Sequence, residues 1–133
     1  MNAFEKRAQL KDIKPGAILY EVFSINGVKA EMGRKKIITG LPFQNLNIGL
    51  FVDAITVYDD WEGRQHMSLM DTNVIGRNNY NFHALFLSKQ DAQEYVDQIN
   101  NDQLPPELRE ISRKMHREWI IRRAEDSYLY GIM

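Results

Sequence analysis

The sequence predicts an α+β fold, a small antiparallel β meander of five to six strands followed by two C-terminal helices, and three observations predict it. Up to about residue 87, short β-branched and aromatic runs alternate with glycine, proline, asparagine and aspartate. Beyond it the apolar period changes to a helical one, opened first by Ser88 and then by Pro105-Pro106. With 133 residues, 44% hydrophobic and 26% charged, the chain has the size and composition of one domain. Residues 1–133 are therefore read as a single unit, with a β core over about 15–87 and helices over about 88–100 and 105–128.

Lys14-Pro15-Gly16 is a turn, and Ala17 to Ile25 suits a strand with both faces apolar. Asn26-Gly27 tolerates the positive φ angles of a two-residue hairpin, so Val28 to Met32 is expected to return as the partner strand. Arg34 to Thr39 forms a short strand ended by Gly40-Leu41-Pro42, because proline cannot donate to a ladder. The longest strand runs from Ile48 to Tyr58, with Leu50, Val52 and Ala54 on one face and Phe51, Ile55 and Val57 on the other, interrupted by Asp53. After the turn at Asp59 to Gly63 come strands at 65–70 and 82–87. Tight turns between short strands imply a curled sheet or a small SH3-like barrel.

Ser88 caps the first helix, whose stripe is Ala92, Tyr95, Val96 and Ile99. In the second, Leu104, Leu108, Ile111, Met115 and Trp119 share one face, while Ile120, Ala124 and Tyr128 lie nearly opposite with Ile121 beside them. One docking face cannot account for both stripes. The helix kinks into the core, is covered by the N-terminal segment or the apolar tail 129–133, or buries its second stripe against another chain. A short helix before Pro15 would pack Phe4, Ala8 and Leu10 back on the core.

The chemistry-bearing residues form no motif. Cysteine is absent, which excludes disulfides and thiolate metal sites and suits the cytoplasm. The charged N-terminus and the lack of a long apolar run argue against export and membrane insertion. His66, His83 and His116 are not at metal-ligand spacing, and neither a nucleophile elbow nor a phosphate loop is found. No cofactor, metal or catalytic residue is assigned. A small hydrolase or isomerase would need His66, His83 and Asp71 to converge from distant strands.

Surfaces remain. Arg109, Arg113 and Arg117, with Lys114, Arg122 and Arg123, give residues 107–123 a net charge of +3, fitting an acidic protein or a phosphate backbone. Glu110 and Glu118 can neutralise part of it. A second surface for nucleic acid combines Lys35 and Lys36 with Arg77 and Tyr80, against a sequence pI near 6.3.

The strand-to-helix passage Phe86-Leu87-Ser88-Lys89-Gln90-Asp91-Ala92, joined to a compact β meander and a charged C-terminal helix, resembles small accessory proteins of bacteriophages and other mobile elements. That resemblance implies binding to a host macromolecule, as an inhibitor or adaptor. The expectation is a non-catalytic protein-binding module using Arg113, Arg117, Trp119, Ile120 and Ile121. Its partner is a protein, acidic by charge complementarity, or a second copy paired through the C-terminal helix. A nucleic-acid-binding regulator is the alternative.

Overall fold

The computed structural model describes residues 2–45 and 48–131, with side chains described as far as Glu125. Its strands are β1 (Ile18–Phe23), β2 (Glu31–Ile38), β3 (Phe43–Asn45), β4 (Gly49–Val57), β5 (Glu62–Ser68) and β6 (Ala84–Phe86). Two helices follow, α1 (Lys89–Asn100) and α2 (Pro106–Gly131).

All pairings are antiparallel. Residues 51–57 of β4 pair with β5, so β2 and β3 must share the other edge of β4, with Ile38 opposite Ala54 and Phe43 opposite Phe51. They form one long arm broken at Gly40-Leu41-Pro42, where proline withholds a donor. The order across the sheet is β5, β4, β2 with β3, β1, β6. Residues 69–83 carry the chain from one edge to the other. Among the described residues no pairing joins β5 to β6, so the sheet is open and the barrel form is not the one adopted.

Alternation on the strands divides the core between two faces. Ala84 and Phe86 of β6 join Val22, Tyr95, Val96 and Ile99 under α1, while Leu85 points the other way to Leu19, Ile38, Val52 and Met67. This second face is closed by Ala8 and Ile13 of the N-terminal arm and by Leu69 and Val74 of the 69–83 connection. The Ser88 hydroxyl accepts from Asp91 N at 3.1 Å and starts α1 as the sequence requires. Buried Tyr95 donates its hydroxyl to Phe82 O at 2.8 Å, and burial raises its pKa.

Several boundaries differ from expectation. Asn26-Gly27 is no two-residue hairpin: β1 and β2 register from Phe23 opposite Glu31, leaving a loop over 24–30. Asn26 instead bonds its side chain locally, accepting from Val28 N at 3.0 Å. The strands expected at 28–32 and 34–39 are one strand, because Gly33 continues it where a Cβ would strike Glu21. The strand at 82–87 is short, since Phe82 and His83 are held by hydrogen bonds to Ser24 outside a regular ladder. The 3-residue strand β3 was not anticipated. Before Pro15 there are two short 3-10 turns, burying Phe4 and Ala8 but leaving Leu10 exposed.

Helix α2 is continuous from Pro106 to Gly131, and Ile120, Ile121 and Ala124 are exposed, so the described part of its second stripe does not dip into the core. Tyr128 and the tail side chains lie outside the described ones.

Candidate protein-binding surface

The first half of α2 is anchored from below. Buried Leu104 and the partly buried Leu108, Ile111 and Met115 pack on the cluster that includes Phe82 and Tyr95. Ser112 donates its hydroxyl to Asn26 O at 3.0 Å and sits over Gly27, whose φ is +72°. A Cβ on Gly27 would lie 2.8 Å from Ser112 Oγ and 2.9 Å from the Phe82 ring, so the helix approaches the loop closely because glycine is there. The last tie is a 3.1 Å hydrogen bond between Asn26 Nδ2 and His116 Nδ1.

At that point a groove of about 300 Å³ opens between the 24–30 loop and the helix, walled by Phe23, Ile25, Ala30 and Trp119 with Lys29 and Glu31 at its rim. Trp119 is only half-buried, stacked on His116 at 5.8 Å and covered by the Arg123 guanidinium at 4.9 Å from its centroid. Phe23 and Ile25 are 41% and 49% exposed. The sequence pattern places both in a strand and gives neither a separate mark. Their alternation with buried Val22 and Ser24 is the signal that they point outward.

Beyond Trp119 the described part of the apolar stripe, Ile120, Ile121 and Ala124, is exposed. Ile120 is 50% and Ile121 57% exposed, and the N-terminal arm does not cover them, because its Ala3 and Phe4 pack with α1 instead. Arg113 and Arg117 are exposed beside this stripe, as are Lys114, Arg122 and Arg123. Arg113 and Arg109 each lie 3.6 Å from a carboxylate oxygen of Asp102, so the N-terminal end of the basic row is partly neutralised. Five residues expected together, Arg113, Arg117, Trp119, Ile120 and Ile121, are thus on one accessible stretch of helix.

The second basic surface is not assembled as expected. Lys35 is exposed, but Lys36 is 6% exposed and faces the second core, donating to Thr56 Oγ1 at 2.8 Å and Gln65 Oε1 at 3.1 Å with Glu21 at 3.9 Å. Strand alternation separates these neighbours, and a buried ammonium requires such partners. Arg77 is partly buried, 5.8 Å from the Phe82 centroid. Tyr80 donates to Asp71, which pushes its phenol up to about 12.

The histidines and Asp71 have separate engagements. His66 bonds to Asp53 on the outer face of β4 and β5. His83 accepts from Ser24 N at 3.0 Å and stacks on Phe23 at 4.4 Å, and burial lowers its pKa. Among the described residues no three metal-ligating side chains cluster, and no helix is long and apolar enough to cross a membrane.

Comparison with curated proteins and with solved structures finds no match. A family model does match, over residues 7–99, which take in all six strands and all but the last residue of α1 while stopping short of α2, and by that match the chain belongs to the Phage g100-like protein family.

Proposed function

We propose that this phage protein is a non-catalytic module that works by binding another protein through the distal half of α2. The observation that carries the reading is the exposure of Ile120 and Ile121 beside Trp119, on a helix whose first half packs its apolar face on the core. Isolated surface isoleucines need no explanation, but two adjacent ones next to a half-open tryptophan and an apolar groove form the anchor type found at interface centres. The partner surface is acidic, because residues 113–123 hold five basic side chains and one acidic.

The test compares capture of proteins from phage-infected host lysate by the wild type and by a variant carrying Ile120→Ser and Ile121→Ser, with folding checked by circular dichroism. A stoichiometric partner that survives nuclease and is lost by the folded variant supports the reading; equal capture by both removes it. The same exposed arginines favour one other reading, a nucleic-acid-binding regulator. It predicts recovery of nuclease-sensitive material with an affinity that falls steeply with salt.

A further inference from the structure

A second open face, of mixed composition, lies on the sheet. Helix α1 packs on β6 and on the part of β1 and β2 that carries Tyr20, Val22 and Met32, leaving the same face of β4 and β5 and the Ile18–Ile37 end of β1 and β2 without it. Register across the strands places Ile18, Ile37 and Ile55 in one row ending at Arg64, and the neighbouring row runs Tyr20, Lys35, Val57, Glu62. Ile18 is 46% exposed, and Ile37, Ile55 and Val57 are only partly buried. On β4 the face carries Phe51, Ile55 and Val57 beside Asp53, and β5 adds Glu62, Arg64 and His66 to it. Among the described residues, the chain has a helix stripe without a sheet and a partly apolar stretch of sheet without a helix.

Resting on the protein-binding reading above, we propose that the partner is a second copy of this chain, with the distal half of α2 lying across the open half of the partner's sheet and the reverse contact made at the same time. The geometry favours exchange over closure within one chain. The first half of α2 is pinned by Leu108, Ser112 and His116, and the helix continues to Gly131 without a break that would turn it back onto its own sheet.

Lengths agree. Residues 117–131, beyond the tie at His116, make about 22 Å of helix, and the four strands β1, β2, β4 and β5 span roughly 14 Å between their axes. On the helix, Ile120, Ala124 and Ile121 fall within an arc of about 100°, with Arg117 inside it.

Charges agree as well. The β4–β5 turn over residues 58–62 carries Asp59, Asp60 and Glu62 and no basic side chain, whereas residues 113–123 carry a net +4. Asp59 is fully exposed, with only Arg34 at 3.9 Å. A two-fold arrangement brings each acidic turn to the other copy's helix and forms two equivalent contacts. A stable interface of roughly 800 Å² per partner is thereby drawn from two patches on each chain.

The experiment is analytical ultracentrifugation of the full chain, the Ile121→Glu variant, the Ile18→Lys variant and their equimolar mixture. Both substitutions are at exposed side chains, and circular dichroism checks that each variant is folded. The expected result is a wild-type dimer, dissociation constants raised about tenfold or more in each variant, and re-association in the mixture. The mixed dimer regains one fully native contact and gains a lysine–glutamate pair in the other.

A wild type that stays monomeric at high micromolar concentration overturns the proposal. So does a dimer broken by Ile121→Glu but indifferent to Ile18→Lys, which would mean that helix pairs with helix. If the wild type is monomeric while Ile121→Glu still abolishes capture of a different protein, this proposal fails and the protein-binding reading stands.

Discussion

Leu104, Leu108, Ile111 and Met115 follow one another at spacings of four, three and four and all pack on the core, whereas Ile120 and Ile121, a turn farther along, are 50% and 57% exposed. The residue types do not differ. What differs is the structure beneath them: the docked half has the 24–30 loop and Phe82 below it, and the ties from that loop end at His116. A helical stripe is buried by what the rest of the chain supplies, so its periodicity alone cannot say where burial stops. The sharpest way to break this contrast is to truncate one residue from the buried series that leads into α2 and one from its distal half. Leu104→Ala should lower unfolding free energy by about 2–5 kcal/mol, while Ile121→Ala should stay within about 0.5 kcal/mol under monomeric conditions. Urea denaturation measures both, and equal losses would mean that the distal half is also part of the core.

The contrast can be sharpened at the fulcrum between the halves. Gly27→Ala puts a methyl group into Ser112 and the Phe82 ring at a positive φ, whereas Gly16→Ala, at φ +90°, meets nothing within 4 Å. Both variants carry the backbone strain of the left-handed region, about 1–2 kcal/mol. Only the first also displaces α2, so its loss should exceed that of Gly16→Ala by about 1 kcal/mol or more. Hydrogen exchange should then show faster opening of amides around Ser112 in the Gly27 variant alone. If the two glycine variants are equally destabilised, the loop does not hold the helix.

Why the sequence speaks clearly for some elements and not for others follows from the range of the forces involved. Ser88 and the stripe Ala92, Tyr95, Val96, Ile99 are local signals, and α1 forms where they place it. The strand cores were legible for the same reason, since alternation is written within each segment. The connections were not. Asn26-Gly27 has the chemistry of a tight hairpin, yet the contact with Ser112, 85 residues away from Gly27, draws the loop out over 24–30. Lys36 reads as one of three surface cations in a row, and only the arrival of Thr56 and Gln65 from other strands makes it an interior residue. In the candidate surface, the exposed arginines and Ile120-Ile121 could be read from the helical wheel. Phe23 and Ile25 have only the signal of strand alternation, and in a run apolar on both faces that signal does not say which face is covered.

The smallest effect should be a pH dependence at the same fulcrum. His83 has its pKa lowered by burial, with Asp71 acting weakly in the opposite direction, and its Nδ1 accepts the Ser24 N–H at the start of the 24–30 loop. The neutral ring is the form the fold stabilises. Its contribution is therefore complete above the ordinary histidine pKa near 6.5 and is lost as pH falls through the lower folded value. Melting temperature should decline from pH 7 toward pH 5 more steeply in the wild type than in His83→Asn, which has no ring to protonate. Because Ser24 leads into the loop that carries Asn26 and Gly27, acid should loosen the docked half of α2 and leave the distal half, already free of the loop, unchanged. Amide exchange at pH 5 and pH 7, corrected for the intrinsic pH dependence of exchange, reads this directly. An equal response in both halves would place the acid sensitivity elsewhere and separate His83 from the anchoring of the helix.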